Sequence, residues 1–241
     1  MSARIALMVT LGLLAAASLV EAAQISVSGP FLLGYGGTGG YYGSVNQTTE
    51  GKVDWIHYSS PSSPSLFDRK AGGTAISNRT GDTGIWMPNG LTNWSWSDGT
   101  VNVNAPNTEG GYCRMGVWNI LDTTFTVATV AGWQQVKVYV GTQDNGAIGV
   151  LNLSMPGATS VVSSPGSNEA VGIADAAWSR GDFYYVVTTT GGNVGDLLTV
   201  NWHRTSTGGG LYVYGAALTV PEPASLSLLI LGGLALLRRR K

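Results

Sequence analysis

Short runs of alternating apolar and polar residues recur along the middle of the chain, separated by clusters of Gly, Asn, Asp and Pro. Neighbouring side chains on a β-strand point to opposite faces, so alternation with a period of two predicts half-buried strands. No long stretch of the sequence keeps the helical period of 3.6 residues. The clearest predicted strands are 53–58, 94–104, 123–130, 133–142, 147–155, 182–190, 196–204 and 211–219.

The alternation also predicts which side chains share a face. The apolar faces of two strands carry Val136, Val138, Val140, Leu198, Val200 and Trp202. The opposite, polar faces carry Gln135, Lys137, Tyr139, Thr199, Asn201 and His203. Two sheets that are each buried on one side satisfy this pattern by packing face to face. We therefore predict an all-β fold, a two-sheet β-sandwich of jelly-roll-like type over residues 24–219, with a closed barrel as the alternative.

Two dipeptides predict tight turns between these strands. Asp98-Gly99 and Asn145-Gly146 supply the residue types that adopt the positive φ angles of two-residue hairpin loops. We expect the first to form a hairpin from residues 94–103. We expect the second to connect the predicted strands on either side of it.

The first 23 residues have the order of a secretory signal peptide. Arg4 precedes an apolar run over residues 5–20, and Glu21, Ala22 and Ala23 follow it. A charged start, an apolar middle and small residues at the cleavage site are typical of such segments. We predict export and cleavage near Ala22 or Ala23. An uncleaved anchor is the alternative, but the apolar run is shorter than the roughly 20 residues of a spanning helix.

The last 22 residues, 220–241, form a second signal. Residues 224–237 carry no charge, are rich in Leu and are followed by Arg238, Arg239, Arg240 and Lys241. The pattern predicts a short membrane helix whose basic end stays in the cytoplasm. At 1.5 Å per residue the helix covers about 21 Å, less than the roughly 30 Å of hydrocarbon, so snorkelling arginines or local thinning must make up the difference.

This tail resembles the PEP-CTERM sorting signal of Gram-negative bacteria. The match consists of Pro221-Glu222-Pro223, the apolar helix and the cluster Arg238, Arg239 and Arg240. The two prolines disfavour helix on their N-terminal side and predict an accessible, extended segment outside the bilayer. The resemblance implies recognition and cleavage by a membrane-embedded exosortase, followed by transfer to the outer envelope or an exopolysaccharide matrix. An ordinary C-terminal anchor is the alternative.

Composition and charge narrow the function classes. Residues 24–220 contain 8 Lys plus Arg against 12 Asp plus Glu, a balance of −4, which argues against a nucleic-acid partner because phosphate neutralisation needs a basic face. The single cysteine, Cys113, excludes an internal disulfide framework and a cysteine metal site. Only 11% of the residues are charged, so the surface relies on Thr, Ser, Asn and Gly. Such a surface suits hydrogen bonding to polysaccharide.

The chain has eight tryptophans, and their indole faces can stack on sugar rings. Trp94 and Trp96 share one face of a predicted strand and lie, like Trp86, among polar and turn residues. These three are the predicted ligand-binding residues of a carbohydrate platform on the outer sheet face. Burial in the core of a large sandwich is the alternative interpretation for all eight.

The sequence also contains carboxylates and histidines, the residue types that catalytic and metal sites use. A glycosidase needs two carboxyl groups about 5 to 9.5 Å apart, for which the sequence offers Asp54, Asp68, Asp82, Asp98, Glu109 and Asp122 without choosing a pair. His57 and Asp54 point to opposite faces of one strand, so we expect structural or solvated histidines and no metal or cofactor. The segment 34–39 formally fits a dinucleotide-binding fingerprint, but no helix pattern follows it, so we predict a loop.

The segments 53–58, 67–70, 76–77 and 94–99 look like a module of secreted bacterial β-sandwich proteins. The leading hypothesis is a non-enzymatic cell-envelope or exopolysaccharide-matrix protein, anchored transiently by residues 224–237 until an exosortase releases it. The alternatives are a carbohydrate-binding module and, after it, a glycosidase.

Overall fold

The computed structural model describes residues 22–36, 43–58, 67–81, 85–87, 91–100, 105–109, 111–115, 122–143, 146–173 and 180–221, with only the backbone at 85–87, 105–109 and 111–115. Within these residues the strands are β1 Gln24–Gly36, β2 Gly43–Asn46, β3 Asp54–His57, β4 Asp68–Arg69, β5 Thr80–Gly81, β6 Ile85–Met87, β7 Thr92–Trp96, β8 Ala105–Glu109, β9 Gly111–Met115, β10 Asp122–Ala128, β11 Trp133–Gln143, β12 Gly149–Ser154, β13 Val161–Val162, β14 Arg180–Thr190, β15 Leu197–Arg204 and β16 Gly210–Thr219. A short helix α1 spans Gln47–Glu50, and a 3₁₀ turn spans Glu169–Val171. No helix among these residues has the length and apolar composition needed to cross a bilayer.

The described strands form three sheets. The first sheet has the order β1-β14-β11-β16-β3-β4, with β9 paired to β16 and β6 paired to β9. The second sheet has the order β13-β12-β15-β10-β5. A small third sheet has the order β2-β7-β8, in which β2 and β7 are parallel. The fold is all-β, as predicted.

The first and second sheets pack face to face around one hydrophobic core. Val136, Val138 and Val140 of β11 are fully buried in it. Leu198, Val200 and Trp202 of β15 meet them from the second sheet, also fully buried. The polar residues Thr199, Asn201 and His203 on the other face of β15 are partly exposed. The predicted sandwich and its two apolar faces are therefore confirmed.

The small sheet adds a third layer that the sequence did not predict. It covers part of the outer face of the first sheet, the face turned away from the second sheet. The contact is a second cluster, called here the outer cluster, made of Val45, Trp55, Trp94, Trp96, Tyr139, Tyr212, Tyr214 and Ala217. Tyr139 is 1% exposed, so its predicted place on a solvated polar face is wrong. A sheet that carries aromatics on its polar face can bury both faces, which alternation alone does not reveal.

The first predicted hairpin is wrong in detail, and the second predicted turn lies between the expected strands but does not pair them. β7 does pair with β8, but Trp96 faces Ala105, so residues 97–104 connect them and Asp98-Gly99 is not a two-residue turn. Gly99 instead bridges to Lys70. Gly146 has the expected positive φ of 86°. The strands on either side of it, β11 and β12, lie in different sheets, so the turn crosses the sandwich and forms no hairpin.

The glycine-rich segment begins inside a strand. Gly34, Tyr35 and Gly36 form the end of β1, where Gly36 faces Arg180 of β14. Residues 37–42 lie outside the described part of the chain. The predicted loop is thus wrong for its first three residues, which belong to the edge of the first sheet.

Candidate functional site

An exposed area is left on the outer face of the first sheet beside the small sheet. It lies on β1, β14 and β11, where the strand register sets side chains in rows. We call it the outer strip; its rows are Ser26, Thr188 and Gln135, then Ser28, Val186 and Lys137, then Phe31 and Tyr184. The three residues from β1 are exposed, and the others are partly exposed. From Tyr184 to Thr188 the strip is about 14 Å long, given about 3.4 Å per residue.

Two aromatic rings lie at one end of the outer strip. The ring centroids of Phe31 and Tyr184 are 5.2 Å apart, and their planes are inclined by 36°. Phe31 is 41% exposed, so its ring is accessible to a ligand from solvent. Aromatic faces of this kind can stack against the apolar face of a sugar ring.

A β-bulge brings Phe31 to this face. β1 advances three residues from Ser28 to Phe31 while β14 advances two, from Val186 to Tyr184. Gly29 occupies the bulge with a φ of 116°, and a Cβ there would lie 2.9 Å from a backbone oxygen of Tyr184. Without the extra residue Phe31 would point to the opposite face. The sequence signal for this arrangement is a Gly-Pro pair inside a strand, which is typical of a bulge on an edge strand.

The charges of the outer strip compensate each other. Lys137 Nζ lies 5.2 Å from the centroid of the Tyr184 ring and forms an ion pair with Glu50 of α1. The side chains of Lys137 and Glu50 are 31% and 34% exposed. The N-cap Asn46 helps to fix α1, since its side chain accepts a hydrogen bond from the backbone N–H of Thr49 at 3.2 Å. The paired charges give this surface no net attraction for a polyanion or a polycation.

The polar rows of the outer strip offer donors and acceptors without further charge. Gln135 Nε2 donates to Thr188 Oγ1 at 3.4 Å, and Ser26 and Ser28 present exposed hydroxyl groups beside them. A chain of sugars has hydroxyl groups along its edges and apolar patches on its ring faces. Stacking at Tyr184 and hydrogen bonding along the rows match those two properties.

The tryptophans predicted as a binding platform are not on the surface. Trp94 is 0% exposed and Trp96 is 4% exposed, both in the outer cluster under the small sheet. Their ring centroids lie 4.8 and 5.5 Å from that of His57, which is also fully buried. The prediction of an exposed pair at these positions is therefore wrong: they share one face of β7, but this face packs on the first sheet. The side chain of Trp86 lies outside the described part of the structure.

A buried polar network attaches the small sheet to the first sheet. Asp182 of β14 is fully buried, and its Oδ2 accepts hydrogen bonds from the backbone N–H of Leu91 at 3.1 Å and from Thr92 Oγ1 at 3.0 Å. Its Oδ1 accepts from the Tyr214 hydroxyl and from Arg180 Nε at 3.3 Å. Burial raises the pKa of Tyr214 well above its ordinary value of 10.0, against the lowering effect of Arg180. A carboxylate enclosed by four donors holds structure together and is shielded from substrate.

The carboxylates proposed for glycoside hydrolysis are held in structural contacts where the structure describes them. Asp54 Oδ1 accepts from its neighbouring backbone N–H, that of Trp55, at 2.8 Å, and Asp54 Oδ2 accepts from the Ile76 N–H at 2.9 Å. Asp68 is 1% exposed, and Asp122 contacts His203 Nδ1 at 2.7 Å. Asp82 and the side chain of Glu109 lie outside the described residues.

Asp98 lies two residues after the end of β7, and its carboxylate is also engaged. Its carboxylate accepts from Lys70 Nζ at 2.6 Å, Thr48 Oγ1 at 2.7 Å and Trp55 Nε1 at 3.0 Å. Burial raises the pKa of Asp98, but the hydrogen bonds from Lys70, Thr48 and Trp55 outweigh it and leave the pKa below its ordinary value. A general acid in a glycosidase needs the opposite shift, so the arrangement disfavours Asp98 in that role.

The remaining predicted residues are the second histidine, His203, and the C-terminal sorting signal. His203 lies on the outer face of the second sheet, where its side chain is 28% exposed. Within the described residues, no three His, Cys, Asp or Glu side chains are grouped so that they could hold a metal ion. β16 ends at Thr219, and Pro221, the first residue of the Pro-Glu-Pro sequence, lies two residues beyond it. The rest of the sorting signal, including Glu222, Pro223, Arg238, Arg239 and Arg240, lies outside the described residues.

Comparison with known proteins gives no family: no family model and no curated protein matches the chain. Among solved structures it is similar to TmCBM61 in complex with β-1,4-galactotriose, with 11% identity over 46% of this chain and 70% of that one, and a TM-score of 0.34. It is also similar to a family 16 carbohydrate-binding module-2, with 14% identity over 46% and 77% of the two chains and a TM-score of 0.33. A third is the enzymatically active domain of bacteriophage CBA120 tailspike protein 4, with 11% identity over 72% and 20% and a TM-score of 0.30. All three scores are below 0.5, so these likenesses establish neither the fold nor a ligand of this chain.

Proposed function

We propose that this chain is an exported, non-enzymatic protein whose β-sandwich binds polysaccharide through the outer strip. The observation that carries the proposal is the exposed ring pair of Phe31 and Tyr184 beside rows of Ser, Thr and Gln side chains. The compensated pair of Lys137 and Glu50 favours a neutral glycan over a highly charged one. Binding on the outer strip requires no catalytic group, and the carboxylates described above are engaged elsewhere.

A glycan array probed with residues 24–219, followed by calorimetry on the best glycan, tests this proposal. Phe31→Ala and Tyr184→Ala should each weaken binding by about tenfold or more, since each removes a stacking face. Val162→Ala is the matched control, because Val162 is 63% exposed but lies on β13 of the second sheet. Equal affinity for the wild type and both ring variants would refute the assignment of the site, and binding to no glycan would refute the function.

The second candidate function concerns the two ends of the chain. β1 begins at Gln24 and β16 ends at Thr219, so the described sheets fill the interval between the predicted signal peptide, 1–23, and the predicted sorting signal, 220–241. We propose that Pro221-Glu222-Pro223 presents the cleavage region to an exosortase, that residues 224–237 hold it in the inner membrane, and that Arg238–Arg240 fix the orientation. Release would then deliver the sandwich to the outer envelope or the extracellular matrix.

Mass spectrometry of the protein from its native host tests this sorting route. The mature form should begin near Gln24 and end close to Pro221. Replacing Arg238, Arg239 and Arg240 by Gln should slow processing, whereas replacing them by Lys should preserve it, because positive charge sets the orientation. A mature form that still carries Lys241 would refute exosortase processing while leaving membrane anchoring intact.

A further inference from the structure

Four exposed apolar side chains gather at one end of the sandwich. They are Val130, Trp133, Val194 and Leu197, with exposed fractions of 36%, 41%, 75% and 48%. Val130 and Val194 lie in the connections that precede β11 and β15, and Trp133 and Leu197 are the first residues of those two strands. We call this group the apolar tip. Among the described residues, it contains more than half of the large apolar side chains that are exposed.

Backbone hydrogen bonds hold the two connections together. The Thr129 N–H donates to the Asp196 carbonyl at 2.8 Å, and the Gly195 N–H donates to the Thr129 carbonyl at 2.8 Å. The Gly191 N–H donates to the Gly132 carbonyl at 2.9 Å. The two connections are therefore held together at this end of the sandwich, with Trp133 on the outer face of the first sheet and Leu197 on the outer face of the second.

The apolar tip is almost uncharged. Residues 129–133 and 191–197 contain one ionisable side chain, that of Asp196. Its Oδ2 accepts from the Asn193 backbone N–H at 2.8 Å and from Asn193 Nδ2 at 3.4 Å. The carboxylate is therefore engaged within its own turn, and an apolar partner does not have to displace a long charged side chain.

The first strand of the domain, β1, begins beside the apolar tip, and the last strand, β16, ends beside it. Gln24, the first residue of β1, faces Thr190, which in turn faces Trp133. Thr219, the last residue of β16, faces Gln135, two residues from Trp133. The two predicted membrane-inserting segments of the chain are thus connected to the same end of the molecule.

The connecting segments are short. Five residue steps separate Thr219 from Ala224, where the apolar C-terminal segment begins, and an extended chain of that length spans about 17 Å. Four steps separate Gln24 from Val20, the end of the N-terminal apolar run, and span about 14 Å. Either anchor would hold the apolar tip within reach of the headgroup layer, where Trp side chains are enriched.

We propose that the apolar tip contacts the lipid interface while the chain is anchored, and so orients the sandwich with this end toward the membrane. This inference rests on the proposed anchoring by residues 224–237. Contact with lipid would bury Trp133, Val194 and Leu197 and present Pro221 at the surface of the bilayer, where an integral membrane protease acts. After cleavage only the weak contact at the apolar tip would remain, and the sandwich could then leave the membrane.

Site-specific fluorescence on the full-length chain tests the proposal. A fluorophore is attached at Val194→Cys or, as the matched control, at Thr207→Cys, in chains in which Cys113 is replaced by Ser. Thr207 is exposed and lies three residues beyond Arg204, the far end of β15, which is about 24 Å from Leu197 along the strand. The chains are inserted into phosphatidylcholine vesicles that contain a lipid with a nitroxide on its headgroup.

The label at position 194 should be quenched and the label at 207 should not. Trp133→Ser with Leu197→Ser should abolish the quenching at 194 while the chain still floats with the vesicles, and added salt should change little because the tip is uncharged. Equally weak quenching at both positions in floating chains would overturn the tip contact but keep the anchor. Chains that do not float would refute the anchor and the contact together, and self-association that requires Trp133 would assign the tip to a second copy instead.

Discussion

Replacement of Asp182 by Ala should detach the small sheet from the sandwich and cost about 3–5 kcal/mol of stability. The carboxylate is fully buried and accepts from Arg180, Tyr214, Leu91 and Thr92. Removing one partner of a buried ion pair typically costs about 3–5 kcal/mol, and each buried donor that loses its acceptor costs about 1–3 kcal/mol. These costs overlap, because the donors share one acceptor, so we expect the range of the ion pair alone. That is a large part of the about 5–15 kcal/mol of a typical domain.

Urea unfolding of residues 24–219, followed by tryptophan fluorescence, measures this loss. Asp122→Ala is the matched control: the side chain of Asp122 also pairs with a basic group, His203, but is 54% exposed, so its removal should cost at most about 1 kcal/mol. Detachment should also expose Trp94 to a soluble quencher in the native state. A loss for Asp182→Ala no larger than that of the control would refute the role of this carboxylate.

Three further predictions follow from single positions. The pKa of Asp98 lies below its ordinary value of 3.8 because its hydrogen bonds outweigh burial. The carboxylate therefore stabilises the fold above pH 3.8, and this stabilisation should fade as pH falls through the lowered pKa. Asp98→Asn should cost stability at neutral pH and less in acid, measured by unfolding at a series of pH values. Gly149→Ala would place a Cβ 2.4 Å from the fully buried ring of Trp202 and should destabilise by about 1–3 kcal/mol in the same assay, and a neutral result would contradict the packing. Burial raises the pKa of Tyr139 and Tyr214 well above 10.0, so their protonated, folded forms should persist until alkaline unfolding; absorbance titration should show them ionising only with the loss of native fluorescence, and ionisation before unfolding would argue against their burial.

The sandwich could be predicted because apolar and polar residues alternate with a period of two along the strands that form its two inner faces. The alternation of Val136, Val138 and Val140 with polar neighbours predicts a sheet with one buried face. Leu198, Val200 and Trp202 form the apolar face of the second sheet that packs against it. The third layer could not be predicted in the same way. Trp94 and Trp96 alternate with Asn and Ser as an exposed platform would, and only the tertiary position of β7 decides that the ring face is buried.

The candidate site was harder to predict than the fold. Phe31 and Tyr184 are distant in sequence and meet only because β1 pairs with β14 across a bulge. The Gly29-Pro30 pair indicates an irregular strand, but the residue opposite Phe31 depends on the register. Gly146 gives the same lesson, since the Asn-Gly pair predicts its positive φ but not whether the following strand stays in the same sheet.

The claim that the outer strip binds polysaccharide is tested most directly on the exopolysaccharide of the protein's own host. Residues 24–219 are mixed with the purified, insoluble polymer, and the protein that sediments with it is measured for the wild type, for Phe31→Ala with Tyr184→Ala, and for Val162→Ala. The account predicts that the wild type and Val162→Ala sediment with the polymer while the double variant stays in solution. Equal sedimentation of all three, or of none, would contradict it.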